Sequence, residues 1–425
     1  MYKYAAAAKR RKKETSPSSS FDSLPDALAI SCLARVSRLD QAALSLVSKR
    51  FRSLVVSPEF YKARSLMGHA EKCVYVCLGL PPYLIPRWFV LHPTLDPATG
   101  KTVKRAHPIP FFPSQPREGS AVVSLDWSIY VFGGLDNGGE RTSGVLLLDC
   151  RYHTWHQVTP MRVARASATA QVVNGKIYVL GGCKDRKSAD WGEVFDPKTQ
   201  TWAALTVSEP MPDEEDPDTR PRMSLIHGSV VIEDKIYVID LWNRTFFYSL
   251  SQCKWGRGSL ARRDSRSKNR RDWCVIDNVL YSVGNDGCIY CCKPEELDRC
   301  AGLGMNWFEL INWSMKSLQG KLTRSRVANF GGKMARVWEK THNFTKCLED
   351  ILPGAKLTNS GQNGVVFWKE LLPEKSVEIW CAEFSLTRDD EWGRMFGVLE
   401  CSNPILTLDP ILDRSKVLYS ISVDV

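Results

Sequence analysis

The chain has 425 residues, 44% hydrophobic and 24% charged, with a mean hydropathy of −0.24; this is an ordinary globular composition, which excludes global disorder, a fibrous repeat and a bundle of membrane spans. Fourteen Trp spread among 28 Gly suit an all-β architecture better than a helical bundle. The net charge of +10 is uneven: the first fourteen residues carry +5 and residues 254–271 carry +7, which leaves the rest at about −2. Two local basic segments on a near-neutral body argue against nucleic acid as a partner.

Residues 1–20 are polar, basic and then Ser/Pro-rich, and predict a disordered tail. Its Lys-Arg-Arg-Lys-Lys run at 9–13 reads either as a nuclear address or as a solvated charge run. The tail lacks the apolar stretch of ~7–15 residues that a secretory signal needs, and no segment reaches the ~20 apolar residues of a membrane span. The expected location is therefore nucleus and/or cytoplasm, without a membrane partner. The 14 Cys are expected to be reduced core residues.

Residues 21–66 change texture. Leu24, Leu28, Leu33 and Val36 return at helical spacing behind Pro25 and Asp26, a helix start. A second helical pattern runs from Asp40 to Val56, broken by Ser57-Pro58, and a third short one follows through Glu59 to Arg64. A module this small has a marginal core, so part of its apolar set (Leu24, Ile30, Leu33, Leu44, Val47, Phe51 and Leu54) is expected to be completed by a partner.

Leu24-Pro25-Asp26, Cys32-Leu33-Ala34-Arg35-Val36, the Leu44 to Leu54 helix reading Leu-Ser-Leu-Val-Ser-Lys-Arg-Phe-Arg-Ser-Leu, and Ser57-Pro58-Glu59 together resemble an F-box. That resemblance implies docking onto the Skp-type adaptor of a cullin–RING ubiquitin ligase, with Leu24, Pro25, Ile30, Leu33, Leu44, Val47, Phe51 and Leu54 as the adaptor-binding residues. Ala27 stands where many members carry an acidic residue.

Beyond residue 67 the helical spacing gives way to short β-rich runs bounded by Gly, Pro, Asp and Asn, and these repeat. The clearest copies are 118–160 and 166–207. Tyr130 matches Tyr178 and Gly133-Gly134 matches Gly181-Gly182, both at an offset of 48, while Trp155 matches Trp202 at 47. Strand, Gly-Gly, strand, turn and Trp make one unit. Three degraded copies follow. One ends on Trp255, one on Trp307, and the fifth starts at Val327-Ala-Asn-Phe-Gly-Gly and continues through Ile379-Trp-Cys-Ala-Glu-Phe-Ser-Leu.

The repeat resembles kelch, a β propeller of four-stranded blades. Tyr130, Gly133, Gly134, Trp155, Tyr178, Gly181, Gly182 and Trp202 are then structural: paired glycines where an inner strand ends, rings in the wedge between blades. An open ring leaves an unpaired edge. Cys73–Leu80 and Arg87–Leu91 at the front, with Ile405–Leu408 and Val417–Val423 at the back, are expected to share the closing sheet. The expected fold is mainly β: a kelch-type propeller of about six blades over 67–425, behind a small all-α F-box module.

No cofactor is expected. Cys150-x2-His153-x2-His156 lies in a predicted turn without a fourth ligand at metal-site spacing, and Cys288-x2-Cys291-Cys292 lies in a strand pattern. Two charged insertions between blades are candidate target-binding loops: an acidic one with Asp213, Glu214 and Glu215, and a basic one with Arg262, Arg263 and Arg270. The alternative for them is a pair of surface loops attracting each other. Motif order resembles the plant F-box/kelch-repeat proteins, which implies a non-catalytic subunit that presents a target for ubiquitination and proteasomal degradation. The alternative is a propeller scaffold or metal-dependent oxidase with a vestigial F-box.

Overall fold

The computed structural model describes residues 21–425 apart from 81–82, 84, 98, 117, 185–191, 208–225, 241–243, 261–272, 285–286, 299–303, 311–314, 323–355, 373–375, 389–394 and 409–414. The chain divides into two units, Met1–Glu71 and Lys72–Val425.

The first unit is helical: α1 (Asp26–Leu33), α2 (Gln41–Val47), α3 (Lys49–Val55) and α4 (Pro58–Leu66). The helical pattern read across Asp40–Val56 is two helices, not one. Ser48 is extended (φ −155°, ψ 162°) and its hydroxyl accepts from the Phe51 N–H. A Ser in that conformation stops α2 and caps α3, which periodicity alone does not register. Ser57 caps α4 in the same way, with Pro58 in the first turn.

The second unit contains six four-stranded antiparallel sheets. The closing sheet begins with β1 (Lys72–Gly79), β2 (Arg87–Leu95) and β3 (Thr102–Pro108). Next come β4 (Ala121–Leu125), β5 (Ser128–Phe132), β6 (Val145–Asp149) and β7 (Thr154–Val158); then β8 (Thr169–Val173), β9 (Lys176–Leu180), β10 (Gly192–Asp196) and β11 (Thr201–Ala204). The third copy is β12 (Ile226–Ile232), β13 (Lys235–Asp240), β14 (Arg244–Ser249) and β15 (Lys254–Leu260). The fourth is β16 (Cys274–Ile276), β17 (Val279–Val283), β18 (Ile289–Cys292) and β19 (Phe308–Glu309), followed by a helix α5 over 315–322. The last blade is β20 (Lys356–Ser360), β21 (Asn363–Leu371), β22 (Val377–Arg388) and β23 (Met395–Leu408), and β24 (Lys416–Asp424) ends the chain.

The expected six-bladed propeller is the observed fold. Its ring is joined by the two ends of the unit: β24 lies beside β1, so the closing sheet reads β24-β1-β2-β3. First strands of successive sheets are neighbours, β24 with β4, β4 with β8, β8 with β12, β16 with β20 and β20 with β24. In five blades the turn between the first two strands opens on a left-handed residue: Asp126, Asn174, Glu233, Asp277 or Gly361. Such turns twist with the strands they join, which is why Asn, Asp and Gly punctuate the repeat.

Two expectations about the ring need correction. Ile405–Leu408 belongs to β23 of the last blade and pairs with β22, so only the Val417 segment joins the closing sheet. The last blade draws all four strands from residues 356–408, so its first strand is β20; Val327–Trp338 lies outside the described residues. Gly133-Gly134 and Gly181-Gly182 directly follow β5 and β9, the second strands of their sheets. Helix α5 was also not foreseen. It buries Met315, Leu318 and Leu322 against Val366, Trp368 and Phe384, an i, i+3, i+7 stripe too short to separate from its β-rich surroundings.

Candidate functional site

The helical module is held by two arginines. Arg50 of α3 reaches back to the start of α1, where its Nη2 donates to the Leu24 carbonyl at 2.5 Å and to Asp26 Oδ1 at 2.7 Å. The Phe21 and Phe51 rings meet edge to face at 5.1 Å. Arg64 of α4 is buried. It donates from Nη1 to the Ala34 and Val36 carbonyls at 3.1 and 2.5 Å, and from Nη2 to Glu71 Oε1 at 3.0 Å. These bonds satisfy the Ala34 and Val36 carbonyls just past α1, while the Ile30, Cys32 and Leu33 carbonyls of its last turn accept from the Ala34, Arg35 and Val36 N–H groups.

The module's own core is Ala29, Leu33, Ala34, Leu54, Val55, Phe60 and Tyr61. Of the eight residues proposed to face an adaptor, Leu33 and Leu54 are therefore buried inside the module. Leu24, Ile30, Leu44 and Phe51 are half-buried, and Pro25 and Val47 are exposed. Two residues that the docking set left out also stand in water, Leu28 at 55% and Leu46 at 77% exposure, beside Val47 at 65%. Burying a Leu or Val completely is worth roughly 1.5–3 kcal/mol, so these side chains are a standing incentive for association. Helical spacing flags Leu28 as one of a set; only the three-dimensional structure shows which members face outward.

In the propeller the repeat residues meet at the junction between the two best-preserved blades. Gly133 and Gly134 both have positive φ, 57° and 112°, and a side-chain carbon on Gly133 would collide with the Arg165 carbonyl oxygen. That carbonyl accepts from the Gly134 N–H at 2.8 Å, and the Arg165 N–H donates to Thr142 O at 2.9 Å. Across the junction the Arg165 guanidinium donates to the Gly181 carbonyl at 2.7 Å and to Glu193 Oε1 at 2.8 Å. Glu193 Oε2 in turn accepts from the Arg162 N–H at 2.9 Å. Both partners of this ion pair are almost fully buried. Arg165 and Glu193 were missed in the sequence. A signal existed, because Arg117 precedes Arg165 by the same 48 residues that relate the glycines and tyrosines.

The tryptophans act as clamps. Trp155 Nε1 donates to Pro110 O at 2.8 Å and Trp202 Nε1 to Thr159 O at 2.9 Å; each ties an outermost strand to the segment leaving the preceding blade. Their rings also pack on other rings: Trp155 meets Trp88 at 6.2 Å, and Trp202 meets Phe195 at 4.9 Å and Phe132 at 5.9 Å. Tyr130 likewise packs on Phe132 and Phe195, and Tyr178 packs at the edge of the next cluster. In the third copy the clamp is a different residue. Tyr248 on the third strand donates its hydroxyl to Thr206 O at 2.5 Å, while the Trp255 ring packs against Tyr248, tilted, at 5.2 Å.

Neither of the two metal candidates read from the sequence is gathered as a cluster of three or more ligands among the described residues. Cys150 is buried, His153 Nε2 lies 3.2 Å from the Tyr75 hydroxyl, and His156 Nε2 lies 3.1 Å from Thr154 Oγ1. Cys288, Cys291 and Cys292 are buried, and burial pushes the Cys291 thiol up to about 11. Among the described residues no three or more His, Cys, Asp or Glu converge as a metal cluster. The acidic loop residues Asp213, Glu214 and Glu215 and the basic loop residues Arg262, Arg263 and Arg270 lie outside the described residues.

A helical module with leucines in water, attached to a six-bladed ring with Gly-Gly, Tyr and Trp in repeat, defines an F-box protein with a kelch propeller. The F-box domain family matches residues 21–63 and the family described as FKB95, Kelch-repeats domain, matches residues 88–406. The chain belongs to the F-box/kelch-repeat family. Among its relatives, an F-box/kelch-repeat protein of Arabidopsis thaliana is 43% identical over 98% of this chain and 97% of the relative. Another from the same plant is 33% identical over 94% of this chain and 93% of the relative.

Proposed function

We propose that this chain is the substrate-recognition subunit of an SCF-type ubiquitin ligase. It performs no bond chemistry of its own. The F-box docks on a Skp-type adaptor through Leu24, Pro25, Ile30, Leu44, Val47 and Phe51, joined by Leu28 and Leu46, while Leu33 and Leu54 shape that surface from beneath. The propeller holds a target protein, with the loops carrying Asp213 to Glu215 and Arg262 to Arg270 as its contacts, so that target lysines stay near the ubiquitin-loaded enzyme of the cullin–RING assembly. The gain is one of effective concentration. Residues 9–13 direct part of the population to the nucleus.

The observation that carries this reading is the exposure of Leu28, Leu46 and Val47 on a module whose family is the F-box. The test is binding of purified Skp-type adaptor to the full chain and to a Leu24→Ala/Pro25→Ala variant. Binding that weakens at least tenfold in the variant supports the reading; undiminished binding removes it.

A further inference from the structure

The outer hairpin of the closing sheet brings two imidazoles together. Val90 of β2 pairs with His107 of β3, and His92 pairs with Arg105. His92 and His107 therefore stand diagonally on one face of the hairpin. Their ring centres are 5.1 Å apart, with planes inclined at 60°. Two imidazole nitrogens each about 2 Å from one metal ion, at a near-tetrahedral angle, leave the ring centres about 5 Å apart. The register cannot slip to undo this, because the alternate positions Leu91 and Ala106 pack into the core. His107 is exposed and His92 half-buried, so an ion reaches them from water.

We propose that His92 and His107 form a two-ligand site for a divalent transition-metal ion with an affinity for nitrogen, the class of Zn²⁺, Ni²⁺ and Cu²⁺. Water or a partner's side chain fills the remaining positions. Imidazole suits these ions and not Mg²⁺ or Ca²⁺, which take oxygen ligands. The guanidinium of Arg105, on the same face opposite His92, adds a charge that opposes any cation, so nitrogen coordination has to outweigh that repulsion.

The site has a structural consequence. β3 also carries the contacts to the last blade: the Lys104 N–H donates to Asn403 Oδ1 at 3.2 Å, Asn403 Nδ2 donates to Lys104 O at 2.7 Å, and Lys104 Nζ pairs with Glu383 Oε2 at 2.5 Å. An ion bridging His92 and His107 fastens this outermost strand to β2, and binding to the folded state alone raises stability by mass action.

The test is calorimetric titration of the full chain with Ni²⁺ and separately with Mg²⁺, on wild type, His92→Ala, His107→Ala and Arg105→Ser, alongside thermal midpoints with and without Ni²⁺. The proposal expects one Ni²⁺ event in wild type, absent from both histidine variants and stronger in Arg105→Ser, with no Mg²⁺ event. It also expects a Ni²⁺-dependent rise in midpoint only where both histidines are present. His107 is exposed, so its Ala variant should match the wild-type midpoint without metal. A Ni²⁺ event of equal size in wild type and both histidine variants, which assigns binding to thiols or other groups, overturns the proposal. So does the absence of any event in wild type.

Discussion

The helical module and the propeller use their apolar residues in opposite ways. Within about fifty residues the module leaves Phe21, Leu28, Leu39, Leu46, Val47, Val56 and Leu66 in water, whereas the much longer propeller exposes a similar number among its described residues. The propeller's rings and branched side chains fill the wedges between sheets, and some of its polar groups are answered from the neighbouring blade, as the Ser120 N–H is by the Tyr419 hydroxyl at 2.9 Å. The module has a core of seven side chains and a coat of leucines. Relative to its length, the module leaves far more of its large apolar side chains in water than the propeller does.

The comparison breaks most easily at the blade junction. Replacing Arg165 with Met leaves the Glu193 carboxylate buried without its partner, which typically costs about 3–5 kcal/mol. Denaturant unfolding should show that loss in the propeller transition, while adaptor binding by the module stays at the wild-type level. If adaptor binding falls in step with propeller stability, the two units are not independent in use.

A second break is chemical. Burial pushes the phenols of Tyr237, Tyr248 and Tyr281 upward, and pushes the Cys381 thiol up to about 12. A raised folded-state pKa means that the unfolded chain ionises first. The stability contributed by these groups is whole below their ordinary values near 9 to 10 and is lost as pH rises through the folded ones. Thermal midpoints should therefore fall between pH 8.5 and 11, and Tyr281→Phe should flatten the fall.

Smaller effects separate clamps from fillers. Trp202→Phe keeps most of the ring and loses the bond to Thr159 O, so it should cost about 1 kcal/mol. Tyr248→Phe should cost a similar amount through Thr206 O, which would establish that a tyrosine has taken over the clamp in the degraded third blade. Ser48→Ala should cost the module about 1 kcal/mol as a lost helix cap, leaving the propeller transition unmoved.

What was legible in the sequence follows from what each residue depends on. Gly133-Gly134 and Gly181-Gly182, with Tyr and Trp at fixed offsets, announce the blade because local backbone and ring packing demand those types at those places. Ring closure by Val417–Val423 was legible because an open sheet edge needs a partner. Ile405–Leu408 looked equivalent as an apolar run, yet β23 is fourteen residues long and takes it in past two shifts of register against β22. Arg165 and Glu193 are 28 residues apart, one in the connection before β8 and the other on β10, and meet only once that sheet is folded. In the module, the sequence picked out an apolar set without dividing it: Leu33 and Val47 both belong to that set, and one is core while the other is surface.

The central claim, that the module's surface leucines are a docking surface rather than a packing defect, is tested most directly by Leu46→Ser/Val47→Ser in the full chain. Both side chains are well exposed, so the thermal midpoint should hold, because substitutions in water usually move stability by no more than about 0.5 kcal/mol. Affinity for a purified Skp-type adaptor should fall at least tenfold. An unchanged midpoint with undiminished adaptor binding would contradict the account.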